Sequence, residues 1–199
     1  MNDTPLFPDL SPEPASPTFR RAQSIVGTSA GRPDDDFYPT PPAATAALLR
    51  VEAFEGPIWE PACGDGAISR LLDAAGHQVI STDLNHRGYG RGGVDFLLDF
   101  ETRAANVITN PPFSLAAQFA RHALGRTTGK VALLCKLNFL EGMKRKPLFE
   151  GTPLKTVHVF SQRLTLARNG QKIESRGMIA FAWFVWEHGH DGAPTLAWL

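Results

Sequence analysis

The chain has 199 residues, 43% of them apolar, and its 20 basic and 20 acidic side chains give a formal net charge of zero. That fits one domain with a sizeable core. It leaves no apolar run near the roughly eighteen residues of a membrane span and no charged start followed by an apolar leader, so a soluble, cytoplasmic protein is expected. Cys63 and Cys135 have no second Cys or His at metal-ligand spacing, which argues against zinc and for two reduced thiols.

The zero balance hides an asymmetry: residues 33–101 hold twelve acidic and four basic side chains, whereas 121–176 hold twelve basic and three acidic. The first half suits a cationic or hydroxyl-rich ligand and the second a polyanion; mixed solvated faces are the alternative.

Residues 1–33 carry Pro5, Pro8, Pro12, Pro14, Pro17 and Pro33 with few core formers, and read as a flexible arm before a single domain over 34–199. Phe37-Tyr38-Pro39-Thr40-Pro41-Pro42 leads into a helix over 43–51, with Thr40 as its cap and prolines in its first turn. Residues 57–60 form a short buried strand, and Pro61-Ala62-Cys63-Gly64-Asp65-Gly66 a tight turn into a helix over 67–75. The glycines allow a ligand close to the backbone, and the helix start adds free N–H groups. A second strand, 78–82, ends at Asp83, about twenty positions past the glycines, where a carboxylate is placed to accept from two ribose hydroxyls or to cap a turn.

After the glycine-rich loop 88–93, Asp95 stands before Phe96 and Leu97, a carboxylate and apolar faces that suit a purine's edge and plane. The strand 107–109 then stops at Asn110-Pro111-Pro112-Phe113. Two prolines lack N–H groups and cannot continue a central strand, so Asn110 sits at the lip of the sheet, where open α/β sheets keep their sites. Asn110 offers a side-chain carbonyl, Pro111 a backbone carbonyl and Phe113 a flat ring, a set suited to a planar base with an exocyclic amine; a plain strand end is the alternative.

A helix over 115–124, a strand from Lys130 and a loop with a short helix over 136–151 follow, the last carrying Lys144-Arg145-Lys146. Strand runs 156–160 and 178–186 flank a basic stretch with Arg163, Arg168 and Lys172. The alternation predicts an α/β fold: a mostly parallel sheet with helices on both faces, closed by an antiparallel hairpin at the carboxyl-terminal end.

In order, Tyr38–Pro41, Glu60–Gly66, Asp83, Asp95–Leu97 and Asn110–Phe113 resemble the motifs of the S-adenosylmethionine-dependent amino DNA methyltransferases, adenine-N6 type, with their Rossmann-like fold. The match covers roughly 37–140. The resemblance implies S-adenosyl-L-methionine as cofactor. Tyr38, Pro39 and Thr40 would line its methionine end, and Glu60, Pro61, Ala62, Cys63, Gly64 and Gly66 its amino-acid part. Asp83, with Leu84 beside it, would hold the ribose, and Asp95 with Phe96 the adenine. Asn110, Pro111, Pro112 and Phe113 would form the catalytic motif: the oxygens of Asn110 and Pro111 hold the amine while Phe113 stacks on a flipped base.

Family members that read a sequence alone usually carry a large recognition region after the catalytic part, and here about sixty residues follow it. Lys144, Arg145, Lys146, Arg163, Arg168 and Lys172 are what remains to grip DNA, and a protein partner could supply target recognition. Similar motifs occur in enzymes that methylate RNA bases and protein glutamines, and a non-catalytic cofactor-binding module is a further alternative.

Overall fold

The structure is a computed structural model that describes residues 37–164 and 179–199. Helix α1 (Pro42–Val51) precedes β1 (Ile58–Glu60), α2 (Ser69–Ala74), β2 (Val79–Ser81), β3 (Asn106–Thr109) and α3 (Ala116–Leu124). Then come β4 (Lys130–Lys136), α4 (Lys146–Glu150), β5 (Leu154–Val159), β6 (Phe181–Glu187) and β7 (Thr195–Trp198). Among the described residues the strands form one sheet in the order β2-β1-β3-β4-β6-β5-β7. β6 runs antiparallel to β4 and β5, while every other pairing is parallel. One edge of the sheet therefore gathers the carboxyl ends of β1 to β5 and the start of β6.

The two faces of the sheet explain why its central strands are continuously apolar. Along β4, Val131, Leu133 and Cys135 join Trp59, Val107, Phe184 and the α3 residues Phe119 and Ala120 in one cluster. Ala132 and Leu134 join Ile58, Ile108, Trp183 and the helix residues Leu48 and Leu72 in the other. With both faces covered, alternation disappears, as expected of a buried parallel strand. Polar anchors fix the layers. The Trp183 indole donates to the Ala44 carbonyl at 2.9 Å, and Asn106 donates to the Glu55 carbonyl at 2.6 Å while accepting from the Lys130 amide at 2.8 Å. A buried polar group that ties its own strand to two other segments fixes their relative position because losing either partner exposes a desolvated group.

The structure departs from the sequence reading in two places. Thr40 does not cap α1: Pro41 occupies the cap position with no side-chain bond, and the prolines of the first turn leave little N–H to cap. The last strand, β7, was not expected. It is an edge strand, and Leu196 and Trp198 are both exposed, so it lacks the buried face that periodicity detects. The flexible arm over 1–33 lies outside the described residues.

Candidate active site

The turn after β1 takes its shape from two glycines with left-handed backbones, Gly64 (φ +55°) and Gly66 (φ +85°), where other residues are strained. A side chain at either would also collide with an aromatic ring, Phe37 over Gly64 and Tyr89 over Gly66. These rings are held from outside: the Arg87 guanidinium lies 4.4 Å from the Phe37 centroid and that of Arg70 4.5 Å from the Tyr89 centroid. A ligand reaching the backbone of this turn meets Phe37 and Tyr89 first.

Asp83 follows β2 and is 8% exposed. One carboxylate oxygen accepts from the Gly64 amide at 2.9 Å and the other from the Asn85 amide at 2.8 Å. It thus ties the glycine turn to the neighbouring strand end, and each oxygen keeps one further acceptor position. Leu84 beside it is exposed. Glu60 points the other way: its buried carboxylate accepts from the Ser69 amide at 2.8 Å and from the Ser69 hydroxyl, fixing the start of α2. Burial pushes the Glu60 carboxyl well above the ordinary range, a shift that the Ser69 bonds oppose and the charges of Asp83 and Asp65 reinforce. Burial, with the same carboxylates, pushes the Cys63 thiol up to about 12, and the thiol donates to the Tyr89 carbonyl at 3.6 Å. Cys63 therefore stays protonated and serves packing rather than nucleophilic chemistry.

Asp95 caps a short 3-10 turn, Phe96–Leu98, by accepting from the Leu97 amide at 2.9 Å. Phe96 corrects the expectation made for it. Its ring is 2% exposed and packs within 4.9 Å of Trp59 and Phe119, so it is a core side chain with no face left for a purine.

Asn110 is the best-defined element of the lip. Its side-chain nitrogen donates to the Tyr38 carbonyl and to the Thr40 hydroxyl oxygen, both at 3.1 Å. The amide orientation is fixed by chemistry, because a backbone carbonyl only accepts and must face the nitrogen. With both amide hydrogens in use, the side-chain oxygen is left buried and without a partner among the described residues. Beside it Pro111 is buried, and Pro112 leads on to Phe113. The Phe113 ring is half-buried, with Tyr38 nearly parallel at 6.0 Å between centroids (21°) and Phe181 tilted at 5.8 Å. The Lys136 ammonium, at the end of β4, lies 4.6 Å from the Phe113 centroid.

The structure thus brings together the strap 37–40, the glycine turn, Asp83 and the Asn110–Phe113 motif on one edge, while Glu60 and Phe96 face inward. Lys136 and Phe181 were missed as neighbours of the motif; a polar residue closing the apolar run of β4 was the available signal for Lys136. The basic residues are less concentrated than expected. Arg145 donates to the Asn138 carbonyl at 3.2 Å and Lys146 pairs with Glu150 at 3.4 Å, while Lys144 is exposed. Arg163 is exposed just after β5, on the same edge as Asn110, whereas Arg168 and Lys172 lie outside the described residues. An apolar hollow of about 360 Å³ between α4 and β7, lined by Leu140, Phe149, Val157 and Leu196, holds none of the predicted cofactor or catalytic residues. No helix among the described residues is long and apolar enough to cross a membrane.

No protein-family model and no curated protein sequence matches the chain. Its fold is similar to a candidate RNA methyltransferase from Pyrococcus horikoshii, with a TM-score of 0.60 and 15% identity over 85% of this chain and 98% of that one. It is similar also to the modification subunit of a candidate type I restriction enzyme from Vibrio vulnificus, with a TM-score of 0.53 and 14% identity. That likeness covers 89% of this chain but 48% of the subunit, so the chain spans about half its length. A candidate O-methyltransferase from Agrobacterium tumefaciens gives a TM-score of 0.53 at 14% identity, over 79% of this chain and 85% of that one. The architecture is the Rossmann-like methyltransferase fold, and these proteins include both a candidate RNA methyltransferase and a candidate O-methyltransferase, so the fold by itself does not choose an acceptor.

Proposed function

We propose that the chain transfers the methyl group of S-adenosyl-L-methionine to the exocyclic amine of a nucleobase, adenine N6 in DNA. The observation that carries this reading is the buried, unpartnered side-chain oxygen of Asn110, held outward by two bonds on its nitrogen. A buried acceptor without a partner is costly, and a bound N–H donor repairs it. Phe113 and the neighbouring prolines make the donor's surroundings flat and apolar, as a base requires.

The residues present fit the cofactor. Asp83 retains an acceptor position on each oxygen for a ribose, the Phe37 and Tyr89 rings over Gly64 and Gly66 offer apolar faces at the turn, and Asp65 and Asp83 make it acidic, which favours a cationic ligand. Asp95 would hold the adenine, with apolar cover from residues other than Phe96. When bound, the cofactor supplies a methyl group activated by a positively charged sulfur. The chain's own work is positioning. An exocyclic amine is a weak nucleophile because its lone pair is delocalised into the ring. Two acceptors, Asn110 Oδ1 and the Pro111 carbonyl, bind its hydrogens and favour the geometry in which the lone pair leaves conjugation and points along the transfer line. No group with a pKa near neutrality is needed, since the nitrogen becomes acidic once methylated and loses its proton to solvent.

Lys144, Arg163 and Lys136 supply positive charge for a phosphate backbone, and Arg168 and Lys172 extend it in sequence. Recognition of a target sequence by an associated subunit belongs to the same proposal, supported by the likeness to a restriction-modification subunit. The test is transfer of labelled methyl to DNA, structured RNA and a protein extract in parallel, with base analysis of the product. Label in N6-methyladenine from DNA is expected. Label confined to RNA or to glutamine would move the acceptor while keeping the site, and cofactor binding without transfer to any of the three would favour the non-catalytic module.

A further inference from the structure

We infer that Thr40 is a positioning residue for Asn110, and that the strap 37–40 serves the acceptor amine as well as the cofactor; this rests on the reading just proposed. The sequence offered two roles for Thr40, a helix cap and a lining residue for the methionine end of the cofactor. The first is vacant, because Pro41 caps α1 without a side-chain bond. Thr40 is 5% exposed, and its hydroxyl oxygen accepts from Asn110 Nδ2 at 3.1 Å across 70 residues of sequence.

The geometry of this bond decides what Asn110 presents to the site. An Asn amide has two nearly equivalent orientations related by a flip, and only one puts oxygen toward the acceptor amine. Here the Tyr38 carbonyl takes one amide hydrogen and the Thr40 hydroxyl the other. In the flipped state Oδ1 would face the Tyr38 carbonyl, two acceptors without a hydrogen between them, and the amide nitrogen would offer donors to an amine that needs acceptors. The Tyr38 carbonyl alone still disfavours the flip, but one bond leaves the amide free to rotate about its remaining contact. Thr40 removes that freedom, as a side chain that orients another group rather than touching the reactants. The same strap stacks Tyr38 against Phe113, so backbone, hydroxyl and ring bind the motif from one side.

The experiment uses the full chain with Thr40→Val, which keeps shape and removes the acceptor, and Thr40→Ser, which restores it. Single-turnover methyl transfer to an adenine-containing duplex is measured together with calorimetric affinity for S-adenosylhomocysteine. Thr40→Val should slow transfer about tenfold, the size of one neutral hydrogen bond, with cofactor affinity within about twofold of wild type, and Thr40→Ser should recover most of the rate. Wild-type rate in Thr40→Val, or lost cofactor affinity at unchanged rate, overturns the inference and returns Thr40 to the cofactor's pocket. A wild type silent on every acceptor would instead sink the methyltransferase reading. The bond itself is still read by the side-chain amide resonances of Asn110: Thr40→Val should move one of the pair and speed its exchange with solvent, and an unmoved pair overturns the inference whatever the activity.

Discussion

Replacing Asp83 with Ala removes the acceptor of two backbone N–H groups at once, and the two losses are unequal. Asn85 is exposed, so water can take over its amide, whereas the Gly64 amide sits inside the glycine turn beneath Phe37. An unsatisfied buried donor whose partner was ionised costs about 2 kcal/mol. At a urea m-value of about 2 kcal/mol per molar, the unfolding midpoint should fall by about 1 M. Because the same carboxylate is assigned to the ribose hydroxyls, affinity for S-adenosylhomocysteine should fall at least about tenfold, for a further loss of similar size. Urea unfolding of the ligand-free chain and calorimetric titration of the folded variant separate the two effects. Asp83→Asn keeps one oxygen for Gly64 and should recover about half of the lost stability. An unchanged midpoint in Asp83→Ala would show that the turn is not held by this carboxylate. Unchanged affinity in a folded variant would take Asp83 out of the ligand site.

Phe113→Ala should raise the Michaelis constant for duplex DNA more than for a mispaired target, because stacking worth about 1–3 kcal/mol per base offsets the cost of extruding a paired base. Phe113→Tyr or Phe113→Trp should retain most activity, and equal losses for Phe113→Ala on both targets would remove the base-stacking role. A separate prediction concerns the ion cluster of Glu52, which bonds His158 at 2.9 Å and Lys130 at 2.7 Å. Burial raises its carboxyl, but these two partners outweigh burial and hold it at about 2 against an ordinary 4.5. A depressed carboxyl contributes stability that is complete above about pH 4.5 and is lost as the pH falls toward 2, about 3 kcal/mol in all. Unfolding measured across that window should show the loss in wild type and a flatter profile in Glu52→Gln, which should also be less stable at neutral pH; parallel profiles would contradict the assignment.

Much of the fold was legible because its signals are local. The apolar run of β3 stops at two prolines, the glycines of the first turn need left-handed backbones, and the alternation of strands and helices fixes a parallel sheet. Where the reading failed, the deciding contact was distant in sequence. Thr40 looked like a cap because Thr before a helix usually is one; its actual partner, Asn110, lies 70 residues on. Phe96 looked like a ligand's cover because it follows Asp95, but the capped 3-10 turn rotates its ring under Trp59 and Phe119. Glu52 and His158 are 106 residues apart, and neither neighbourhood hints at the pair. The strand order of the motif residues was readable, while the direction in which each side chain points was set by packing that no single segment contains.

The central claim is that Asn110 presents an oxygen acceptor that acts on the amine as the transition state forms. Its most direct test is single-turnover methyl transfer by Asn110→Ala, with saturating S-adenosyl-L-methionine and a duplex whose only methylatable base is adenine. The account predicts a rate lowered by about a hundredfold, on the scale of one lost oxyanion-type contact, with affinity for S-adenosylhomocysteine nearly unchanged. A wild-type rate in that variant would contradict it and leave Asn110-Pro111-Pro112-Phe113 as the end of a strand.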